Sequence, residues 1–439
     1  MEQKKWGIIG GGIMGLNLAH QLIRRGHQVT LFEGAPDLGG LVSSWKLGEL
    51  KWDKFYHVIL LSDFRTRNML KELGLEDQIK WVETKTGFYI DGKLHSMSNS
   101  IEFLKFPALG LVDKLRLALT ILYASKIKDW KRLEHIPVTS WLRKWSGKNT
   151  YDKVWLPLLR AKLGSSYQRT SAVFIWATIK RMYGARESGL KKEMFGYLPG
   201  GYKRIIEAVK QNLLTEGVII KTNHQATEIR SSFSGLPSVT FANGYLEEFD
   251  QVIVTLPSGL ASEICQELSE NEKLKLNQIE YLGVICVAVL LNRSISPFYV
   301  TNITDTWVPF TGVIEMTALI DKEYFSGLSL IYLPKYLSPE DPLFVKSDDE
   351  IRECFTATLI KMFPELTNEN IKFSGVARAK HVMTVLNKGY SDNLPEIKTS
   401  IPGVYIVNSA HITDGTLNVN ETIKIAESKL KEIIREGNF

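Results

Sequence analysis

Residues 6 to 33 constrain the fold more than any other part of this chain. A short apolar run, Trp6 to Ile9, leads into Gly10-x-Gly12-x-x-Gly15. Apolar residues then recur at helical spacing from Ile13 to Arg25, Gly26 stops them, and a second apolar run, Gln28 to Phe32, ends at Glu33. The period passes from strand to helix and back, which reads as a βαβ unit with a parallel pair and a right-handed crossover. The first glycine permits a tight turn, the second lets backbone approach a pyrophosphate, and the third lets the helix pack close to the strand. Gly10, Gly12, Ile13, Met14 and Gly15 thus form a helix start whose N–H groups and positive dipole end suit phosphate. Glu33 stands where a carboxylate bonds ribose hydroxyls, so the opening segment predicts a dinucleotide site.

The rest of the chain is long enough to surround such a site. It has 439 residues, 44% hydrophobic and 23% charged, which is ordinary globular composition for two or three domains. Cys265, Cys286 and Cys354 are scattered without a CxxC pair, so they read as core residues of a reducing compartment rather than a disulfide framework, and no metal-ligand cluster is evident. Lys4 and Lys5 before an apolar stretch resemble the start of a signal peptide, but the nucleotide motif lies inside that stretch, and a cytoplasmic location is expected. The apolar run Tyr281 to Leu291 is shorter than the about 20 residues that span a bilayer and reads as a buried strand.

Further elements follow from local pattern. Residues 87 to 96 predict a hairpin turning at Asp91-Gly92. Residues 101 to 190 are mostly helical, 202 to 216 form a helix, and strands follow at 218 to 221, 227 to 231, 238 to 242 and 251 to 255. Short strands between 280 and 335 suggest an antiparallel sheet. A helix is expected at 348 to 362, and a strand, loop and helix close the chain from Val404.

A second glycine pair, Leu38-Gly39-Gly40-Leu41, follows Glu33. With the first motif it resembles the FAD family that includes amine oxidases, protoporphyrinogen oxidases and phytoene and other carotenoid desaturases. The resemblance extends over almost the whole chain through Gly196-Tyr-Leu-Pro-Gly-Gly201, Val252 to Pro257, Gly403 to Asn408 and Asn418 to Ile423. Asp53-Lys-Phe-Tyr-His57, Trp155 to Gly164, and the segments at 299–305 and 309–315 are similar to the bacterial protoporphyrinogen-oxidase-like subgroup, associated with surface-sugar pathways. The resemblance implies a Rossmann-like FAD-binding domain built from residues 1–85, 196–260 and 395–439. An antiparallel-sheet and helical substrate domain would take residues 86–195 and 261–394, giving an α/β fold overall. It also implies non-covalent FAD, held by the residues already named together with Gly39, Gly40, Leu41, Ala226, Asn408, Ser409, Val419 and Asn420. Two departures bear on the flavin: Asn408-Ser409 stands where many relatives carry Gly-Asp, and Glu421 where Gly is common.

The substrate side is less determined. The resemblance places His57 close to the flavin, where it would serve as an acid or base near neutral pH; a structural histidine is the alternative. Between residues 101 and 210 there are 22 Lys and Arg against 8 Asp and Glu, a net of +14 that leaves −8 for the remainder. This is a solvated basic face, or a region that meets a phosphorylated or carboxylated substrate or an acidic lipid surface. Arg160, Lys162, Arg181 and Arg186 are candidates to clamp such an anion. Tyr299, Asn302 and Glu315 are candidates to line the same cavity, with core or turn roles as the alternative. No nucleic-acid-binding motif accompanies the basic residues. Phe103 to Leu133 alternates cations with leucines and reads as a helical pair packed on the sheet, with a membrane-surface helix as the alternative.

No second GxGxxG occurs, so electrons are expected to come from a small-molecule substrate and to leave to oxygen or another acceptor. An FAD-dependent oxidase, dehydrogenase or desaturase is the expected function. A non-redox flavin enzyme resembling UDP-galactopyranose mutase, and an idle FAD-binding scaffold, are the alternatives. Substrate, acceptor and oligomeric state are left open by the residues.

Overall fold

The computed structural model describes residues 2–184 and 193–437. Its N-terminal strand, Lys5–Ile9, lies at the centre of a five-stranded sheet. Gln28–Phe32 and Gln251–Val254 flank it, and Ile219–Lys221 and Val404–Ile406 form the edges, all parallel. One sheet is therefore gathered from the beginning, middle and end of the chain. The helix Ile13–Ile23 makes the first crossover and buries Leu16, Leu18, Ala19 and Leu22. Gly15 permits this packing, because a β-carbon there would lie 1.9 Å from the Gly10 carbonyl oxygen. The same core takes Ile205, Val209 and Leu213 of the helix Gly201–Thr215 and Ile423, Ala426 and Leu430 of the helix Val419–Gly437. The other sheet face is covered by a small antiparallel sheet, Ala226–Ser231, Pro237–Phe241 and Leu246–Glu248.

The second large sheet has seven strands, in the order Ile371–Thr384, Tyr281–Leu291, Ser329–Leu337, Gly312–Glu315, Val300–Ile303, Thr86–Ile90 and Lys93–Ser96. Every residue of Tyr281–Leu291 is buried. Val284, Cys286, Ala288 and Leu290 face one cluster with Trp52 and Phe55, while Ile285, Val287, Val289 and Leu291 face another with Phe355 and Leu359 of the helix Asp348–Met362. Burial on both faces explains the unbroken apolar run.

Two points differ from the sequence reading. The sheet is mixed, because Val300–Ile303 and Thr86–Ile90 pair in parallel. That pairing joins segments more than 200 residues apart, beyond the reach of local turn signals. Ile371–Thr384 also forms a 14-residue strand that pattern alone did not reveal. Its lysines, arginine and histidine lie along a half-exposed edge, and Gly375 interrupts it where Trp45 packs 2.9 Å from its would-be β-carbon.

Helices fill residues 100 to 184, among them Leu111–Lys126, Val138–Ser146, Leu156–Leu163 and Ala172–Gly184. Leu117 of the first packs with Phe88 and Ile90 of the sheet, as a helix lying on the sheet requires. Its opposite face is apolar and exposed. Among the described residues, no helix is long and apolar enough to cross a membrane.

Candidate functional site

The site is built where the glycine turns meet. Gly10 leaves its strand at φ +112°, and its N–H donates to the Phe32 carbonyl at 2.8 Å. Gly12 and Gly39 lie side by side in a parallel bridge, and the Gly39 N–H donates to the Gly11 carbonyl at 2.9 Å. Gly39 and Gly40 hold φ values of +114° and +56°, and Leu41 continues the short helical turn that follows. The Glu33 carboxylate accepts the N–H groups of Gly11 and Ala35, each at 2.8 Å. A carboxylate has further lone pairs, so these bonds aim Glu33 while leaving capacity for hydroxyl donors. The His224 N–H donates to the Glu33 carbonyl at 2.9 Å, which brings the strand beginning at Ala226 beside it.

The C-terminal segment closes on the same region. Asn408 is buried; its Nδ2 donates to the Leu256 carbonyl at 2.8 Å and the Ser258 hydroxyl at 3.2 Å, and its Oδ1 accepts the Ala410 N–H. Asn408 thus ties two strand ends together, while Ser409 lines a small cavity with Phe174, Met383 and Leu417. Val419 and Asn420 begin the last helix, whose start Asn418 caps by accepting the Glu421 N–H at 3.0 Å. The Asn420 Oδ1 accepts the Arg65 N–H at 2.9 Å. Glu421 does not add an unpaired charge: Lys424 Nζ reaches its carboxylate at 3.0 Å and both oxygens of Asp414 at 2.8 Å. These residues fit a dinucleotide of the FAD type. A β-carbon on Gly12 would meet nothing within 4 Å, so the turn presents bare backbone at the place where a pyrophosphate needs it.

His57 lies at the junction with the second sheet. Its ring sits 5.2 Å from that of Tyr202, and Nδ1 is 3.0 Å from the Phe55 carbonyl. Burial pushes its pKa down to about 4, so the ring is neutral at pH 7. Nδ1 then carries the proton toward Phe55, leaving Nε2 as an acceptor. His57 is therefore set up to accept a hydrogen bond, not to act as an acid at neutral pH.

Beside it, the hydroxyls of Tyr56 and Tyr336 are 2.8 Å apart, and Lys162 Nζ lies 3.2 Å from the centre of the Tyr336 ring. Tyr299 is buried in the same cluster and meets Phe195 edge-on. Lys162 and Tyr299 thus gather at one aromatic wall with Tyr56 and Tyr336, while the contacts of His57 are with Tyr202 and Phe55. Asn302 shares a sheet face with Val300 and Ile314, a neighbouring part of that wall. Glu315 is on the opposite face: it pairs with Ile331, and its carboxylate accepts from the N–H and hydroxyl of Ser296. One step along a strand reverses the side chain, which separates Glu315 from Asn302.

The candidate clamp also divides. Arg181 donates to both carboxylate oxygens of buried Asp63, at 2.8 and 3.2 Å, so its charge is already used. Arg160 is exposed, its guanidinium 5.8 Å from the centre of the Tyr167 ring. Arg186 lies outside the described residues.

Asp53 was not singled out by sequence reasoning. It is buried, and its Oδ2 accepts the Tyr202 N–H at 3.2 Å, while Oδ1 has no hydrogen-bond partner among the described residues. Burial pushes its pKa up to about 7. Gly201 takes φ +69° directly over this carboxyl, and the Tyr332 hydroxyl donates to the Asp53 carbonyl at 2.5 Å. Asp53 thereby pins the nucleotide region to the second sheet. Its signal in the sequence was its place at the head of Asp53-Lys-Phe-Tyr-His57, a segment read for its resemblance and not for a role of the acid.

The model of the family described as flavin containing amine oxidoreductase matches residues 13–416. The chain is 22% identical over 383 residues to the chloroplastic/chromoplastic 15-cis-phytoene desaturase of Narcissus pseudonarcissus, covering 82% of this chain and 66% of the relative. It thus spans just under two thirds of that relative's length. Its fold is similar to a provisionally named protoporphyrinogen oxidase from Exiguobacterium sp. 255-15, with a TM-score of 0.77, 18% identity and coverage of 99% and 100%. It is also similar to reduced UDP-galactopyranose mutase, with a TM-score of 0.74, 16% identity and coverage of 98% and 96%.

Proposed function

The chain belongs to the flavin containing amine oxidoreductases; on that premise we propose that it is an FAD-dependent oxidoreductase that dehydrogenates a C–C or C–N bond of an anionic or amphipathic small molecule. Bound FAD supplies the two-electron acceptor. Gly10, Gly12, Ile13, Met14, Gly15, Gly39, Gly40 and Leu41 present backbone to its phosphates. Glu33 and Ala226 serve the adenosine end, and Asn408, Ser409, Val419 and Asn420 the flavin end. The start of the Val419–Gly437 helix offers positive dipole to charge gathering on the ring.

The observation that carries the substrate reading is the wall formed by Tyr56, Tyr336 and Lys162. Aromatic rings exclude water and hold an apolar body, while one ammonium selects an anionic end. His57, neutral and with Nε2 as acceptor, orients the substrate by accepting a hydrogen bond from it. Asp53 and Asp63 act through others: Asp53 holds the junction, and Asp63 holds Arg181.

Anaerobic mixing of the FAD-loaded enzyme with carboxylated, phosphorylated and isoprenoid substrates tests this reading. Loss of the oxidised flavin spectrum with formation of dehydrogenated product supports it. Turnover that needs reduced flavin yet consumes no reductant contradicts it and supports the mutase-like alternative.

A further inference from the structure

The helix Leu111–Lys126 packs Leu117, Thr120 and Ala124 inward. Its outer face carries Leu111, Val112, Leu115, Leu119 and Leu122, which are 75%, 72%, 62%, 55% and 45% exposed. Residues 111, 115, 119 and 122 are three or four apart, so they form one stripe along a helix about 24 Å long. Ile101 and Leu104, 67% and 57% exposed on the preceding short helix, add to the local apolar surface. Tyr123 and Trp145, also exposed, have ring centres 4.2 Å apart. Isolated exposed leucines need no explanation, but a contiguous face of this kind marks an interaction surface.

The surrounding charge indicates what covers it. Residues 101–148 contain ten Lys and Arg against four Asp and Glu, a net of +6. Lys105, Arg116, Lys126, Lys128, Lys131 and Arg132 are exposed, and among the described residues none of them makes an ion pair. A second copy of the chain would bring two such cationic segments together across a two-fold axis, and like charges would oppose each other. A bilayer of anionic lipid satisfies both features at once, since headgroups meet the cations and acyl chains meet the leucines. Tyr and Trp also favour the headgroup level.

We propose that the Leu111–Lys126 helix docks the protein on an anionic lipid surface, lying flat with Leu111, Leu115, Leu119 and Leu122 in the acyl boundary. This inference is independent of the reaction proposed above.

The test is co-sedimentation of the full FAD-loaded chain with vesicles of phosphatidylcholine and phosphatidylglycerol in equal parts, compared with phosphatidylcholine alone. The wild type should bind the anionic vesicles at least roughly tenfold more strongly, and high salt should weaken that binding. Leu115→Glu with Leu119→Glu should lower binding at least roughly tenfold while flavin content and melting temperature stay unchanged, because both side chains are exposed. Lys126→Glu with Lys128→Glu and Lys131→Glu should remove the preference for phosphatidylglycerol. No vesicle binding by the wild type, or equal binding by the double glutamate variant, overturns the proposal. So does sedimentation equilibrium showing a dimer that Leu115→Glu with Leu119→Glu splits, which would make a second copy the occupant.

Discussion

Gly15 packs so close to Gly10 that a β-carbon on it would sit 1.9 Å from the Gly10 carbonyl oxygen, whereas one on Gly12 would meet nothing within 4 Å. The two glycines therefore serve different ends. Gly12→Val should leave the fold intact, since Gly12 has an ordinary extended φ of −74°, but should weaken FAD retention by roughly 100-fold. Gly15→Ala should cost more than about 4 kcal/mol of stability, because backbone would have to move. Flavin content and urea unfolding of the two variants check this. Equal loss of stability in both would contradict it.

Arg181, partly exposed, pairs with buried Asp63, so Arg181 is expected to matter for stability more than for substrate. Arg181→Met should destabilise the protein by about 3 kcal/mol, since it leaves the Asp63 carboxylate without its cation. Adding Asp63→Asn should recover much of that loss. If Arg181→Met instead raises KM and leaves unfolding unchanged, Arg181 is a substrate clamp.

The pKa shifts of Asp53 and His57 have opposite consequences in one pH window. Asp53 titrates at about 7 when folded and near 3.8 when unfolded, so between these values only the folded state keeps the proton. Its contribution to stability is present below about pH 4 and is lost as pH rises to 7, by up to roughly 4 kcal/mol. His57 titrates at about 4 when folded and near 6.5 when unfolded, so its contribution is lost as pH falls through that range. Relative to wild type, Asp53→Asn should gain stability as pH rises from 4 to 7, and His57→Gln should gain as pH falls from 6.5 to 4. Melting temperatures across pH measure both trends. Profiles parallel to wild type would contradict the assignment.

Lys162 stands over the Tyr336 ring and is the cation that reaches the aromatic wall. Lys162→Met should raise KM for anionic substrates about tenfold with kcat little changed, and should leave neutral substrates unaffected. A fall in kcat at constant KM would instead place Lys162 in the chemical step.

These residues also show what the sequence makes legible. Gly10 to Glu33 could be read directly because one local segment carries strand, turn, helix and acid in order. The run Tyr281 to Leu291 announced a buried strand, and the fold covers both of its faces. Arg181 was read as a free cation because its partner Asp63 lies 118 residues away, and no local pattern joins them. Asn302 and Glu315 were grouped by proximity in the chain, but sheet register puts them on opposite faces. Asp53 owes its raised pKa to burial that only the tertiary fold brings about, and the Tyr202 N–H that it accepts works against that rise.

The most direct test of the account is the absorbance spectrum of the purified chain before and after anaerobic reduction, with the cofactor then released by acid and identified. The account predicts about one FAD per chain, released without proteolysis and bleached by two electrons. A chain that carries no flavin, and cannot be loaded with FAD, would contradict it.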